Sequence, residues 1–339
     1  MFQEIFWITI MKNSRYYIEL AEDILEGKLP DDSEYLKILS ASDADLPAIM
    51  TGAGMIREKY FGRKIHLCTI CNGKSGKCSE DCKFCSQSSF SKTGAPVYPI
   101  LKKDELIKGG LYARDTPINR FSIVTTGKGL PRRDVEAVAE AMGELDDKRI
   151  KKCVSLGILK DDDFKILKEA GITRYHHNLE TSRTLFNDIC TTHTYNERID
   201  TIKAAQRQGM EICAGGIFGV GETDEQILEL AVDIKALNVD AVPLNFLVSI
   251  KGTPYEQVDR LTPAKCLKII AFFRYFMPRK DIIICGGREK NLKELHPLIF
   301  YAGASGTMTG NYLTTDGRSL DDDLMLLRQL GLEVRGKQD

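Results

Sequence analysis

The residues best suited to chemistry in this 339-residue chain are three cysteines in the segment CSEDCKFC. Cys78, Cys82 and Cys85 have the spacing Cys-x3-Cys-x2-Cys. Each iron of a [4Fe–4S] cluster normally takes one cysteine, so this triplet leaves one iron without a protein ligand. An open metal position permits chemistry at the metal, as in catalytic zinc sites. A zinc knuckle is the alternative, but zinc favours four ligands in paired Cys-x2-Cys units.

Other cysteines could supply a second metal centre. Cys153 and Cys213 lie in apolar segments typical of strands, while Cys68 and Cys71 fall at the end of the segment just before the triplet. Together they could provide four thiolates for a second cluster in the interior of the protein. A buried cysteine is more often a small core hydrophobe. We assign that role to the three remaining cysteines, Cys190, Cys266 and Cys285.

The composition excludes several classes of protein. A net charge of −1 gives no reason to expect nucleic acid or an anionic membrane as a partner. No apolar run approaches the roughly 18–20 residues of a membrane span, and the opening MFQEIFWITI lacks the basic leader of a signal peptide. Ten cysteines without a secretion signal favour metal or redox use in a reducing cytoplasm over disulfides.

The elements that must position the cysteines follow a repeating pattern. Residues 14–60 show helical spacing of apolar residues, and from about residue 63 short apolar strands alternate with amphipathic helices. Eight strand–helix repeats over about 260 residues indicate an α/β fold of the (β/α)8 TIM-type barrel, with an open doubly wound sheet as the alternative. The predicted strands are 64–70, 119–126, 150–157, 172–179, 210–217, 240–247, 281–286 and 305–309.

Two domains are expected from this pattern, an N-terminal helical extension over residues 1–60 and a barrel over residues 61–339. Several helix starts carry capping signals. Thr194 with Glu197 and Thr223 with Gln226 fit the capping box. In a (β/α)8 barrel the active site lies at the carboxyl ends of the strands. The cysteine triplet follows the first predicted strand and is therefore expected on that face.

The triplet, with Phe84 just before its last cysteine, resembles the signature of radical S-adenosylmethionine (radical SAM) enzymes. From about residue 64 to residue 334 the chain also resembles the biotin synthase family. The matching segments are CSEDCKFCSQSS (78–89), YHHNLETS (175–182), TTHTYNERIDTI (191–202), GGIFGVGET (215–223), PLNFLVSIKGTP (243–254), GGRE (286–289) and YLTT (312–315). A generic radical SAM enzyme would share only the triplet.

The resemblance implies roles for particular residues. Cys78, Cys82 and Cys85 would hold a [4Fe–4S] cluster whose open iron binds SAM. Asn245 would hydrogen-bond the ureido ring of dethiobiotin, for which an amide offers a donor and an acceptor. The further residues implied to contact SAM or substrate are Phe84, His176, Asn178, Glu180, Arg198, Gly219, Gly221 and Glu222, of which His176 departs from the asparagine usual in the family.

The second cluster is where the chain departs from the better-known members. They hold an auxiliary [2Fe–2S] cluster through three cysteines and an arginine, whereas two of those positions are Ser122 and Ile283 here. We therefore expect a different, four-iron auxiliary cluster, with a possible extra sulfide. Its expected ligands are Cys68, Cys71, Cys153 and Cys213, with Cys285 as a reserve candidate.

The resemblance also implies a reaction and its partners. Sulfur from the auxiliary cluster would be inserted into dethiobiotin to form biotin, with SAM cleaved once for each carbon. A flavodoxin or ferredoxin would donate electrons, and the family implies a homodimer in the cytoplasm. The alternatives are a radical SAM enzyme of the hydrogenase-maturation or pyrrolysine-pathway type, and a non-catalytic iron–sulfur scaffold.

Overall fold

The computed structural model describes residues 2–145 and 149–337 and contains a closed parallel barrel. Its strands pair in the order β1-β2-β3-β4-β5-β7-β8-β9, with β6 also paired to β7, and β9 pairs back with β1 to close the ring. The strands are β1 (Lys64–Lys74), β2 (Arg120–Thr125), β3 (Lys151–Ser155), β4 (Arg174–His176), β5 (Glu211–Cys213), β6 (Gly216–Phe218), β7 (Ala241–Phe246), β8 (Asp281–Ile284) and β9 (Gly306–Met308). The predicted (β/α)8 architecture is confirmed.

Helices surround the barrel and connect its strands. They are α4 (Lys103–Arg114), α5 (Arg132–Gly143), α6 (Asp161–Glu169), α7 (Arg183–Ile189), α8 (Tyr195–Arg207), α9 (Asp224–Ala236), α10 (Pro263–Phe276), α11 (Arg288–Leu292) and α12 (Leu320–Gln329). Both predicted capping boxes form, at the start of α8 and at the start of α9. Among the described helices, none is both long and apolar enough to cross a membrane.

One barrel strand is interrupted. The predicted strand 210–217 forms as two short pieces, β5 and β6, separated by Ala214 and Gly215, and both pair with β7. A side chain at Gly215 would overlap the carbonyl oxygen of Pro243 on the neighbouring strand. Gly215 also donates its backbone N–H to Oδ1 of Asn178, at 3.2 Å. The break thus brings the backbone close to a residue predicted for the site.

Three helices precede the barrel, α1 (Phe2–Leu25), α2 (Asp32–Ser40) and α3 (Leu46–Phe61). They cover α10, whose Tyr275 donates its hydroxyl proton to the carbonyls of Tyr17 and Ile49. Buried residues of α1, α2 and α3 belong to the same hydrophobic cluster as those of the barrel. The division into an extension over 1–60 and a barrel over 61–339 stays a prediction.

The C-terminal segment returns to the start of the barrel. A two-residue strand, β10 (Glu333–Val334), pairs with the first residues of β1. Before it, α12 is tied to the barrel by an ion pair between Arg288 and Asp323, which are 0% and 2% exposed. Because β1 begins at the amino-terminal end of the barrel, the C-terminal residues lie at the end opposite the cysteine triplet.

Candidate active site and metal centres

The cysteine triplet lies on the long loop between β1 and α4, at the carboxyl end of the strands as expected. Gln87 holds this loop together, because its side-chain oxygen accepts from Ser75 Oγ at 2.9 Å and its backbone oxygen accepts from the N–H of Cys78 at 3.0 Å. The Cys85 N–H donates to the carbonyl of Cys82, at 3.0 Å. The turn therefore places three thiols on one short, hydrogen-bonded segment, a donor set that fits an iron–sulfur cluster with one open iron.

A cavity of about 370 Å³ leads from this loop into the barrel. Phe84 and Cys85 line its upper part, and Ile70, Ile283 and Met308 make much of its wall apolar. Ligand sites are commonly cavities of this kind, mostly apolar with a few polar groups that fix orientation. The cavity is therefore suited to a bound organic substrate and to the exclusion of water.

Four thiols line the lower part of the cavity. Cys68, Cys153, Cys213 and Cys285 all line it, and they come from four different strands or strand ends. Cys68 and Cys285 share a hydrogen bond, which lowers the pKa of Cys68. A full set of four cysteines is the usual ligand set of a [4Fe–4S] cluster. The donor chemistry at this place fits a second cluster.

Cys71 is not brought together with these four thiols. It packs against the outer core, whereas Cys68 packs with Cys213 and Cys285 inside the barrel. Cys71 follows Cys68 by three positions, an odd number, and side chains alternate between the faces of a strand. Burial raises the pKa of Cys71, with a further contribution from Glu105 of α4. Of the four expected auxiliary ligands, the structure thus groups three, and Cys285 completes the set.

Two arginines lie beneath the inner thiols. Arg120 of β2 and Arg174 of β4 line the same cavity and are 4% and 7% exposed. Burial raises the pKa of Cys213, while Arg174 and Arg120 act in the opposite direction by favouring its thiolate. Neither arginine was predicted as a site residue from the sequence. Each is the first residue of a strand. The local sequence at such a position does not show whether a charged side chain points into the barrel.

A hydrogen-bonded network that the sequence did not predict lies behind the triplet. Cys190 Sγ lies 3.3 Å from Nδ1 of His193, which lies 2.5 Å from Oε2 of Glu80. Ligand atoms of Cys82, Cys190 and His193 lie within 4.8 Å of one another. Hydrogen bonds with Cys82 and His193 lower the pKa of Cys190 despite its burial. Cys190 was expected to be a core hydrophobe, and it is buried, but its polar neighbours adjoin a predicted cluster ligand.

Three predicted SAM-contact residues come together at the end of β4. Arg198 donates to the carbonyl of Asn178 at 2.9 Å, and it forms an ion pair with Glu180 at 3.4 Å. Its Nε donates to Nε2 of His193 at 3.0 Å, which links this group to the network behind the triplet. Asn178 and Glu180 line the cavity. Together they present amide and carboxylate groups beside Cys85.

Glu180 has a strained backbone. Its φ of 72° lies in the left-handed region, which residues other than glycine rarely adopt. Its carbonyl accepts the N–H of Ile217 at 2.7 Å, and a bridge pairs it with Gly216. Strained non-glycine residues are concentrated at functional sites. Glu180 is thus a strained residue that also lines the cavity.

The glycine segment after β6 does not line the cavity. Gly219 and Gly221 have φ values of 94° and 116°, and their backbone N–H groups donate to the carboxylate of Glu222 at 2.7 and 3.0 Å. Burial raises the pKa of Glu222, and these N–H groups counteract it. The predicted role of these three residues in contacting SAM stays a prediction. In the structure Glu222 stabilises its own loop by accepting these two hydrogen bonds.

Asn245 and His176 line the cavity, as their predicted role requires. Asn245 Nδ2 donates to the carbonyl of Gly216 at 3.2 Å, and its Oδ1 accepts from the N–H of Gly286 at 3.0 Å. Since an amide has two N–H donors and two acceptor lone pairs, one of each remains for a ligand. Burial, with Arg198 and Arg174 nearby, lowers the pKa of His176 to about 4, so His176 is neutral at pH 7.

A parallel barrel with an open-iron cysteine triplet at its carboxyl face defines a radical SAM enzyme. The Radical SAM superfamily matches residues 72–234, and the Biotin and Thiamin Synthesis associated domain matches residues 243–333. Curated biotin synthases are similar over almost the whole chain. That of Desulfatibacillum aliphaticivorans is 49% identical over 93% of this chain and 96% of its own length. That of Persephonella marina is 44% identical over 93% and 94%. The chain belongs to the biotin synthase family.

Solved structures show the same fold at low sequence identity. Methylornithine synthase superposes with a TM-score of 0.82 at 21% identity, covering 94% of this chain and 98% of its own. The FeFe-hydrogenase maturase HydG from Carboxydothermus hydrogenoformans gives a TM-score of 0.78 at 17% identity, covering 98% and 84%. At this level of identity these likenesses show the fold alone. They do not favour the maturase or pyrrolysine-pathway alternatives.

Proposed function

We propose that this enzyme converts dethiobiotin to biotin by inserting one sulfur atom between two carbons, with SAM as the co-substrate. The observation that carries the proposal is one continuous cavity with Cys85 of the triplet at its mouth and four thiols at its base. When bound, a [4Fe–4S] cluster on Cys78, Cys82 and Cys85 supplies the electron that cleaves SAM and so generates a hydrogen-abstracting radical. An auxiliary cluster at the base supplies the sulfur.

The residues of the cavity have separate tasks in this proposal. Asn178, Glu180 and Arg198 hold SAM beside Cys85, through the groups that they present at the end of β4. Asn245 holds the ureido ring with the donor and acceptor that its backbone contacts leave available. His176, which is neutral, and the apolar side chains of Ile70 and Met308 keep water away from the carbon centres where hydrogen is removed.

The auxiliary cluster that we propose is a four-iron cluster on Cys68, Cys153, Cys213 and Cys285. This set replaces Cys71 of the expected ligands with the reserve candidate Cys285. The position where an arginine ligand would stand carries Ile283, whose side chain packs with Cys213 and Cys285. An extra sulfide on this cluster would be the donated atom. Arg120 and Arg174 stabilise the negative charge of the four thiolates from below.

The remaining partners follow from the family. We propose that a flavodoxin or ferredoxin reduces the cluster on the triplet and that the enzyme is a homodimer in the cytoplasm. Sedimentation of the anaerobic holoenzyme would give the oligomeric state.

An anaerobic assay tests the proposed reaction. The reconstituted enzyme is mixed with SAM, a strong reductant and dethiobiotin, and mass spectrometry follows 5'-deoxyadenosine and biotin. Both products are expected, at about two deoxyadenosines per biotin, because each carbon needs one radical. Deoxyadenosine without biotin would reject dethiobiotin as the substrate. Neither product, with both clusters loaded, would favour a non-catalytic scaffold.

A further inference from the structure

A second cavity, of about 190 Å³, lies at the amino-terminal end of the barrel, away from the active-site mouth. Its walls are made by residues that begin strands, including Arg120, Lys151, Arg174 and Glu211. Residues 335–337, which follow β10, close it from below. Glu211 is 44% exposed, so the cavity reaches solvent. Neither the proposed reaction nor the similarity to known proteins assigns this cavity a role.

The cavity carries an excess of positive charge. Its two carboxylates are already engaged, because Asp281 forms a double ion pair with Arg335 at 2.8 and 2.9 Å and Glu211 is held by Arg120 and Arg174 at 3.0 and 2.9 Å. Five cationic side chains line it in all, namely Arg120, Lys151, Arg174, Arg335 and Lys337. A chamber with such an imbalance in low-dielectric surroundings attracts an anion.

Two buried nitrogens in the wall have no hydrogen-bond partner among the described residues, Nε of Arg120 and Nε2 of His66. Both residues are 4% exposed. An unsatisfied buried polar group costs roughly 1–3 kcal/mol, so such groups normally mark a bound water or ion. Arginine Nε is always a donor. The missing partner of Arg120 is therefore an acceptor, such as an anion.

The lower cavity adjoins the place where the inner thiols meet. His66, Arg120 and Arg174 line both cavities, so one layer of side chains separates the lower chamber from Cys68 and Cys153. In the proposed reaction each product removes one sulfur atom from this place. While SAM and dethiobiotin occupy the upper cavity, they block that approach to the thiols.

We propose that the lower cavity is an anion site that takes hydrosulfide from solvent and delivers it to the four inner thiols. This inference rests on the proposed function, since it supplies the sulfur that the reaction consumes. The step is balanced without an oxidant. One hydrosulfide enters, its proton is released to water, and the sulfur keeps its oxidation state as it becomes a cluster sulfide.

Binding is tested with thiocyanate, a small monovalent anion whose infrared band reports on its surroundings. The holoenzyme is saturated with SAM, so that the open iron is blocked, and thiocyanate is titrated and then displaced with hydrosulfide. Lys151→Glu should weaken thiocyanate binding about tenfold by reversing a charge at the rim, whereas Lys151→Arg should bind as the parent does. Lys203→Glu, the same charge change on the exposed face of α8, is the control.

Sulfur delivery is tested separately by the rate at which labelled sulfide enters each cluster during anaerobic reconstitution with ferric iron and a thiol. Lys151→Glu should slow labelling of the auxiliary cluster and leave the triplet cluster, which serves as an internal reference, unchanged. Either of two results would overturn the proposal. One is that Lys151→Glu changes the labelling rate of both clusters equally, and the other is that it leaves thiocyanate binding unchanged. If both experiments depend on Lys151 but the enzyme forms no biotin, the anion site stands and the proposed reaction fails.

Discussion

Cys68 and Cys71 lie on opposite faces of β1, although only two residues stand between them. The side chain of Cys68 lies inside the barrel and shares a hydrogen bond with Cys285, whereas Cys71 packs outward beside α4. A thiol on the outer face cannot reach a cluster inside the ring without a change in the strand. Removing Cys71 or Cys285 therefore distinguishes the ligand set that contains Cys71 from the set that contains Cys285.

The ligand set is tested in a variant in which Cys78, Cys82 and Cys85 are all alanine, so that iron reports on the auxiliary site alone. Adding Cys71→Ala should leave about four irons per chain, and adding Cys285→Ala should remove most of them, because the cluster needs four thiolates. Iron and sulfide analysis gives both numbers. The opposite ranking would restore Cys71 as the ligand, and about two irons in the parent would exclude a four-iron cluster.

The strained backbone at Glu180 predicts that substitutions there affect protein stability and SAM binding differently. Glu180→Gly and Glu180→Ala both remove the carboxylate, so both should weaken SAM binding to a similar extent. Only glycine adopts a φ of 72° freely, so the glycine variant should be more stable than the alanine variant by about 1 kcal/mol. Urea unfolding and SAM titration measure the two effects. Equal stability of the two variants would show that the backbone is not strained there.

Asn245 is expected to contribute to both the fold and the substrate site. Asn245→Asp keeps the acceptor for the N–H of Gly286 but removes the donor to Gly216 and places a charge in the cavity. It should raise the KM for dethiobiotin at least tenfold, since a lost or mismatched hydrogen bond to a buried polar group costs roughly 1–3 kcal/mol. The KM for SAM should stay near the parent value. A parallel rise in both constants would indicate a general distortion of the cavity.

The buried ion pair between Arg288 and Asp323 should be a main link between the barrel and α12. Arg288→Met removes one partner and leaves the buried carboxylate of Asp323 with only the partly exposed Arg318, at 3.1 Å, which should cost about 3 kcal/mol of unfolding free energy, the low end for breaking a buried pair. Arg207 and Asp161 form a comparable pair on the surface, with exposures of 58% and 47%. Arg207→Met is the matched control and should leave the unfolding free energy close to that of the parent, because solvent screens an exposed ion pair. Urea unfolding of both variants checks the difference.

Local patterns in the sequence predicted most of the architecture. The alternation of short apolar strands with amphipathic helices indicated the barrel, and the capping boxes at Thr194 and Thr223 formed as predicted. The broken strand was not foreseen, because its cause is a close approach of Gly215 to Pro243 on a neighbouring strand. Contacts between strands depend on register, which the sequence of a single strand does not reveal.

By itself the sequence determined the barrel and the chemistry of the triplet, because both follow from spacing within one segment. It also contained the signal that separates Cys68 from Cys71, an odd spacing along a strand. Which thiols form the inner set was decided only by the closed barrel, which brings β8 beside β9 and β9 beside β1. Cys285 meets Cys68 across more than 200 positions of chain, and only packing of the whole ring creates that contact.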